Sequence, residues 1–189
     1  LFILGPLGFN FGQGFASVVM FLFAKFGWIA VAILASFLPF MVVTGMHKAM
    51  IPYVITALGE TGKEIIYNAA SLAHNISESG ANFAVAIRSK DKELRSTALS
   101  SGVSALFGIT EPALYGVTIL HRRVLYGVMI GSFIGGASLG LMAVEAYVAV
   151  GPGLATLSSF ISETLPNNFR NAVIGLVISF AVSFAATFV

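Results

Sequence analysis

Long apolar runs separated by short clusters of charge are the feature of this sequence that most restricts its fold. Neither 124–144 nor 171–189 contains a charged residue, and each approaches the ~20 helical residues that cross a bilayer. Only 10% of the residues are charged, against roughly 25% in soluble domains. Because a β-barrel would show short alternating segments instead, the pattern predicts an all-α integral membrane protein.

The remaining apolar segments are less uniform. The runs 1–24 and 26–46 are also spanning candidates, although the first opens on GPLGFNFGQG and Pro39 interrupts the second. The stretch 65–87 mixes polar with apolar residues, which predicts a helix whose polar face meets protein or water rather than lipid. GPG and TLPNNFR in 147–170 indicate a loop or half-helix.

Glycine is concentrated in the run 124–144. Small residues recur there at small-xxx-small spacing, which lets a second helix approach closely. They are Gly131, Gly135, Gly136 and Gly140. No low-complexity linker or strong internal repeat interrupts the chain, so residues 1–189 are expected to form a single membrane domain. The chain starts at Leu1 without a basic segment, from which we expect a piece of a longer protein with no visible signal peptide.

Two basic clusters set the expected topology. RSKDKELR, residues 88–95, is the densest charge cluster, and HRR follows at 121–123. Basic loops favour the cytoplasmic side, so a simple span over 96–120 would place one cluster on the wrong side. We therefore favour a re-entrant helical hairpin that dips into the membrane and returns, with GITEP at its tip; a single span is the alternative.

GITEPALYG, residues 108–116, carries a carboxylate inside this apolar stretch. An acidic group at membrane depth is costly unless it is paired or wet. Thr110 is a candidate helix cap and Pro112 suits a first helical turn, which predicts Glu111 at a helix N-terminus facing a cavity. There it is suited to accept hydrogen bonds from polyol hydroxyls. The alternative is a carboxylate that caps a helix near the interface and touches solvent.

Histidines supply the other candidate polar groups. His47 follows Gly45 at the end of an apolar run and is suited to bind a sugar oxygen or move a proton; an interfacial histidine beside a lysine explains it equally well. His74, Asn75 and Glu78 share a polar face. We expect buried helix–helix hydrogen bonds there, with cavity lining as the alternative.

Several chemistries are excluded by composition and motif. The chain has no cysteine, hence no disulfide, thiolate metal site or cysteine nucleophile of its own. It lacks GxxxxGK[ST], HExxH and clusters of metal ligands, so we expect no metal and no cofactor. The net charge of +2 is too small to indicate nucleic acid.

In these motifs the sequence resembles the membrane-embedded IIC component of sugar phosphotransferase-system permeases, glucose superfamily. The resemblance rests on GITEPALYG followed by HRR and a glycine-rich span, on SGANFAVAIRSKDKELRSTALSSGVSALFGITEP, on MVVTGMHKAMIP and on GPLGFNFGQG. It runs from residue 5 to the end. The sequences of these motifs are most similar to those of the β-glucoside group, with sucrose and trehalose permeases as near alternatives.

The resemblance implies the C-terminal portion of a IIC sugar transporter fold in a bacterial inner membrane, multi-pass, whose substrate is phosphorylated as it enters. Glu111 and His47 would act on the sugar, with Thr110, Asn75 and Asn82 as further substrate-binding residues. The phosphoryl group would come from a phosphocysteine on a IIB domain, charged by IIA and the phosphocarrier protein; neither domain lies in this chain. IIB would dock on the basic residues Arg88, Lys90, Lys92, Arg95, Arg122 and Arg123. The full-length protein is expected to be a homodimer in the bilayer.

Two other classes fit the residues. An ion-coupled secondary sugar transporter would use Glu111 as its coupling carboxylate, without phosphoryl chemistry. A non-transporting membrane subunit would use the glycine-rich span as a packing face.

Overall fold

The structure, a computed structural model, describes residues 25–188 together with Gly14, Ser17, Val18 and Phe21. Most of the predicted span 1–24 therefore lies outside the described residues. The seven α-helices described are α1 (Trp28–Val43), α2 (Ile51–Thr61), α3 (Tyr67–Arg88), α4 (Lys92–Leu106), α5 (Glu111–Ala113), α6 (Arg122–Leu141) and α7 (Asn168–Phe188). Two 3₁₀ segments, Met46–Met50 and Leu154–Phe160, and a π-helical turn, Leu114–Thr118, complete the helical elements. The described part has one isolated antiparallel bridge, between Glu64 and Ala146, and its other regular elements are all helical, as predicted.

Two of the described helices, α6 and α7, are long and apolar enough to cross a membrane by length and composition. They correspond to the predicted runs 124–144 and 171–189. The candidate over 26–46 becomes α1, which is 16 residues long and continues through Pro39 instead of breaking there. At 1.5 Å per residue, α1 is shorter than the hydrocarbon core of a typical bilayer.

Helix α3 lies at the centre of the described part, packed against α1, α4, α6 and α7. This element confirms the helix predicted over 65–87, with its polar face turned to protein. Its buried polar side chains include Asn75, Ser77, Glu78 and Asn82. Since such groups are costly to bury without partners, their hydrogen bonds hold the neighbouring segments in place.

The glycines of α6 make close approaches on two sides. A Cβ placed at Gly131 would lie 2.4 Å from the Ser183 Cβ on α7, and one at Gly136 would lie 2.8 Å from the Ala35 Cβ on α1. Both distances are below real van der Waals contact. The predicted close packing of a second helix is therefore confirmed, and the same glycine-rich helix accepts one neighbour on each side.

The chain reverses direction after α4. Gly108 takes a left-handed conformation with φ of 87°, and α5 with its π-helical turn then runs back beside α4. A Cβ at Gly116 would lie 3.2 Å from Thr97 Cγ2, and Val117 packs in one apolar cluster with Ala98. GITEP thus occupies the tip of a helical hairpin.

Candidate functional site

The hairpin tip presents Glu111 at the start of a helix. α5 begins at Glu111, and Pro112 lies in its first turn, where its missing N–H costs nothing. The Glu111 side chain is exposed. Thr110 occupies the cap position as predicted, but its side chain makes no capping hydrogen bond; only its carbonyl participates, accepting from the Leu114 amide at 2.8 Å.

A second glycine-rich turn packs directly on the tip. A Cβ at Gly153 would lie 2.6 Å from the Gly108 nitrogen, and one at Gly108 would lie 2.9 Å from the Pro152 carbonyl oxygen. Asn75 on α3 donates from Nδ2 to that same carbonyl at 2.8 Å. Because no side chain separates the two turns, the Asn75 amide fixes the loop 151–153, and the loop supports the tip.

His47 lies on the 3₁₀ turn that follows α1. Gly45 starts this turn with φ of 74°, and the half-buried His47 ring places Nδ1 3.4 Å from the Met41 carbonyl oxygen. The Tyr115 hydroxyl donates to the Val43 carbonyl at 3.5 Å. This long contact links Tyr115, four residues after Glu111, to Val43 at the end of α1, four residues before His47.

His74 lies on α3, one residue before Asn75. Its ring is 1% exposed, and neither ring nitrogen has a hydrogen-bond partner in the described part of the chain. The hydrogen bonding expected on this face is therefore made by Asn75 and Glu78 and not by His74.

Asn82 and Glu78 belong to a buried network between α3, α4 and the π-helical turn. Thr118 donates from Oγ1 to Glu78 Oε2 at 2.5 Å. The Asn82 amide donates to the Glu78 carbonyl at 2.8 Å and lies 3.4 Å from Thr118 Oγ1, while its Oδ1 accepts from Ser101 at 3.0 Å. Asn82 thus uses both ends of its amide inside the protein.

The predicted docking residues gather at the opposite end of the hairpin from its tip. α3 ends at Arg88, α4 begins at Lys92 and α6 begins at Arg122, and all three side chains are exposed. Ala98 and Val124 pack together beneath this end. We call it the basic end, comprising Arg88, Lys90, Lys92, Arg95, Arg122 and Arg123. The two sequence clusters are therefore neighbours in space.

A pocket of about 260 Å³ lies between α2, the start of α3 and the loop before Gly153. Its wall is mainly apolar, with Asn68 and Ser71 as polar groups and Pro152 shared with the tip contact. Neither Glu111 nor His47 lines it. The pocket therefore adjoins the candidate site without containing its proposed sugar contacts.

Glu64 is a structural carboxylate that the sequence analysis did not identify. It is 1% exposed, and its two oxygens accept from the amides of Ile66, Tyr67 and Asn68, each at 2.7 Å. These amides are at the N-terminus of α3, where a negative charge is favoured. The sequence signal was an acidic residue three positions before the start of α3, which also fits an exposed turn.

Lys63, the preceding residue, joins the same junction to the other half of the chain. Its Nζ lies 2.6 Å from Glu145 Oε1. The hydrogen bond and the charge of Glu145 raise the pKa of Lys63 above its ordinary value. Together with the bridge between Glu64 and Ala146, this pair holds the turn before α3 against the segment after α6.

Comparison with known proteins agrees with these motifs. The family model described as "Phosphotransferase system, EIIC" matches residues 1–136. The PTS system beta-glucoside-specific EIIBCA component of Bacillus subtilis (strain 168) is 39% identical over 184 residues, covering 97% of this chain and 29% of that protein. The arbutin-, cellobiose-, and salicin-specific EIIBC component of Escherichia coli (strain K12) is 35% identical, covering 97% and 39%. The sucrose-specific EIIBC component of Pasteurella multocida (strain Pm70) is 31% identical, covering 98% and 39%.

The chain thus spans between 29% and 39% of the length of these relatives. No solved structure matches it significantly. The family match includes His47, the hairpin and Glu111, and it ends within α6. The predicted resemblance is confirmed: this chain belongs to the EIIC family of the phosphotransferase system.

Proposed function

We propose that the full-length protein carries a sugar across the bacterial inner membrane and that the sugar is phosphorylated as it enters. The chain would be multi-pass, and the hairpin of α4 and α5 would enter the bilayer from the cytoplasmic side and return. α4 has 15 residues, about 22 Å of helix, which is shorter than a bilayer core. The exposed basic end supports this orientation, since basic loops favour the cytoplasm.

The proposed substrate class is a β-glucoside, with sucrose or trehalose as alternatives. Support comes from the names of relatives that align along nearly the whole chain, two of which are beta-glucoside-specific or arbutin-, cellobiose-, and salicin-specific components. A sucrose-specific component is 31% identical.

The observation that carries the proposal is the position of Glu111, exposed at a helix start on a hairpin tip held by the loop 151–153 and close to the His47 turn. An ionised carboxylate offers acceptors only, which suits sugar hydroxyls. We assign sugar contact to Glu111 and His47, with Thr110 beside them. Asn75 and Asn82 donate to protein oxygens in this conformation. We therefore propose that they support the residues that contact the sugar and do not themselves contact it in this state.

The phosphoryl step needs little covalent chemistry from this chain. The attacking sugar hydroxyl forms the new O–P bond as the S–P bond of a IIB phosphocysteine breaks, and the hydroxyl proton passes to a base or to water. Orienting the hydroxyl in line is a large part of such catalysis. We assign that task to Glu111, with His47 as a second polar group that can hydrogen-bond the sugar.

IIB would dock on the basic end, where exposed lysine and arginine side chains can steer and orient an acidic partner. The named relatives combine B, C and, in one case, A components in a single protein. IIA and the phosphocarrier protein would supply IIB, and the complete protein would act as a homodimer in the lipid bilayer.

The test uses full-length protein in membrane vesicles supplied with labelled β-glucoside and phosphorylated donor proteins. We expect phosphosugar only with the phosphorylated donor, and we expect Glu111→Gln to reduce sugar binding strongly while the protein stays folded. Glu93→Gln is the matched control, because Glu93 is also an exposed acid in the first turn of a helix but lies toward the basic end. Unchanged sugar affinity in Glu111→Gln would remove Glu111 from the site.

The same vesicles separate the rival classes. Free sugar that accumulates with a proton gradient, without phosphosugar, would favour an ion-coupled transporter with Glu111 as the coupling group. Absence of sugar movement under every condition would favour a non-transporting membrane subunit.

A further inference from the structure

We infer that Glu78 and Thr118 form a buried anchor that positions the hairpin arm beginning at Glu111, which makes both of them positioning residues for the sugar site. The inference rests on the proposed function for its effect on sugar. The anchor itself rests on contacts inside the protein.

Direct geometry supports the anchor. Both side chains are fully buried, and the Thr118 hydroxyl donates to Glu78 Oε2 at 2.5 Å. Hydrogen bonds to charged or strongly polar acceptors are among the stronger ones in proteins, and a buried site strengthens them further. The bond joins α3, the central helix, to the last residue of the π-helical turn.

Asn82 extends the anchor to the other arm of the hairpin. It lies 3.4 Å from Thr118 Oγ1 and accepts from Ser101 on α4 at 3.0 Å. A single polar cluster on α3 therefore contacts both arms. The outgoing arm is fixed to the same helix as the returning arm, so the angle of the hairpin is set by α3.

The returning arm needs such a fixed point because it is short. It comprises the three residues of α5 and the five of the π-helical turn, about two helical turns in all. A π-helical turn places an extra residue in the helix and is common at functional sites. Glu111 lies at one end of this arm and Thr118 at the other. If Thr118 is not held in place, the whole arm can shift, and Glu111 is displaced with it.

The other oxygen of the Glu78 carboxylate, which has no hydrogen-bond partner, indicates a role beyond packing. Glu78 Oε1 is buried and has no hydrogen-bond partner within the described residues. A purely structural site would be served by an amide or an apolar side chain of similar size, since an unpaired buried acceptor costs stability. Each such group in a folded protein calls for a specific explanation, and the one we assign to Glu78 is the position of the returning arm.

The experiment compares full-length variants in vesicles and in detergent. Thr118→Val keeps the shape and removes the donor, while Thr118→Ser keeps the donor. Ser79→Ala is the matched control, because Ser79 is fully buried on the same helix and its hydroxyl donates at 2.8 Å to the Gly102 carbonyl on α4, the outgoing arm. Two quantities are measured: the KM for β-glucoside phosphorylation and amide hydrogen exchange over 111–118.

We expect Thr118→Val to raise the KM about tenfold, the size of the loss when one buried acceptor is left without its hydrogen bond, and to speed exchange over 111–118. Thr118→Ser and Ser79→Ala should leave both quantities near wild type. Glu78→Gln keeps the size of the side chain and one acceptor oxygen. It should raise the KM and speed exchange over 111–118, but by less than Thr118→Val does. Thus the anchor stays testable if Thr118→Val does not fold.

An unchanged KM in Thr118→Val, with a Vmax reduced only in proportion to the amount of folded protein, would overturn the positioning role. Unchanged exchange over 111–118 would overturn the anchor. If wild type forms no phosphosugar, the proposed function fails by itself, and the exchange measurement still decides whether Thr118 holds the arm.

Discussion

Removal of the Glu64 carboxylate should loosen the start of α3. Glu64 accepts three main-chain hydrogen bonds at 2.7 Å while almost fully buried. In Glu64→Ala these amides lose their acceptor at the positive end of a 22-residue helix. Each such hydrogen bond to a charged group is worth about 1.5–3 kcal/mol, but water partly replaces them once the side chain is gone.

Allowing for that replacement, we expect Glu64→Ala to lower the local free energy of opening by about 2–4 kcal/mol. Glu64→Gln keeps one acceptor oxygen and should lose about half as much. The corresponding increase in amide exchange at 66–68 is roughly 30-fold to several hundredfold for the alanine variant. Mass spectrometry of peptides that cover the start of α3, with full-length protein in detergent, measures this change.

Asp91→Ala is the matched control. Asp91 is exposed and caps α4 with a single hydrogen bond, in which its Oδ1 accepts from the Glu93 amide at 2.9 Å. Its loss should cost about 1 kcal/mol. If exchange at the start of α3 in Glu64→Ala rises no more than exchange at the start of α4 in Asp91→Ala, then burial and the number of bonds do not determine the effect, and the reasoning is wrong.

Three further perturbations test other parts of the structure. Gly80→Ala places a Cβ 2.5 Å from a main-chain oxygen of α7 and should cost about 1–3 kcal/mol by overpacking, whereas Gly59→Ala, with nothing within 4 Å, should be neutral or stabilising in thermal unfolding. Lys63 has a raised folded pKa, so its pairing with Glu145 stabilises the fold below the unfolded pKa, and this stabilisation is lost as pH rises through the folded pKa. The stability difference between wild type and Lys63→Met should therefore stay constant from about pH 6 to 9 and shrink only above 10.5, the ordinary pKa of a lysine side chain. Arg122→Glu should weaken phosphoryl transfer from IIB, more so at low salt, and leave sugar binding unchanged.

The membrane character and the order of the helices were predictable because hydrophobic length and charge clusters are local signals. Both α6 and α7 follow from uninterrupted apolar runs, and the polar helix α3 follows from its mixed composition. The behaviour of Pro39 was not predictable in the same way. A proline inside a helix removes one hydrogen bond, and here the packing of α1 on α6 keeps the helix continuous.

The candidate site was predictable only in part. The motif gave Glu111 at a helix start, but the sequence contained no signal that Thr110 would cap with its carbonyl alone. Likewise, Asn75 and Asn82 were identifiable as polar residues in a helix of mixed composition, while their partners Pro152 and Ser101 are 77 and 19 residues away. Such long-range pairings depend on how the helices pack, which periodicity does not encode.

The contact between Gly108 and Gly153 limits how this part of the chain can move. Two turns whose main chains are in direct contact cannot slide past each other, because packed interiors resist continuous deformation. The hairpin tip, the 151–153 turn and the middle of α3, joined to that turn through Asn75, must therefore travel together. A sugar held at Glu111 would change compartments by the joint displacement of this block, with the hinge outside it, and not by a swing of the tip alone.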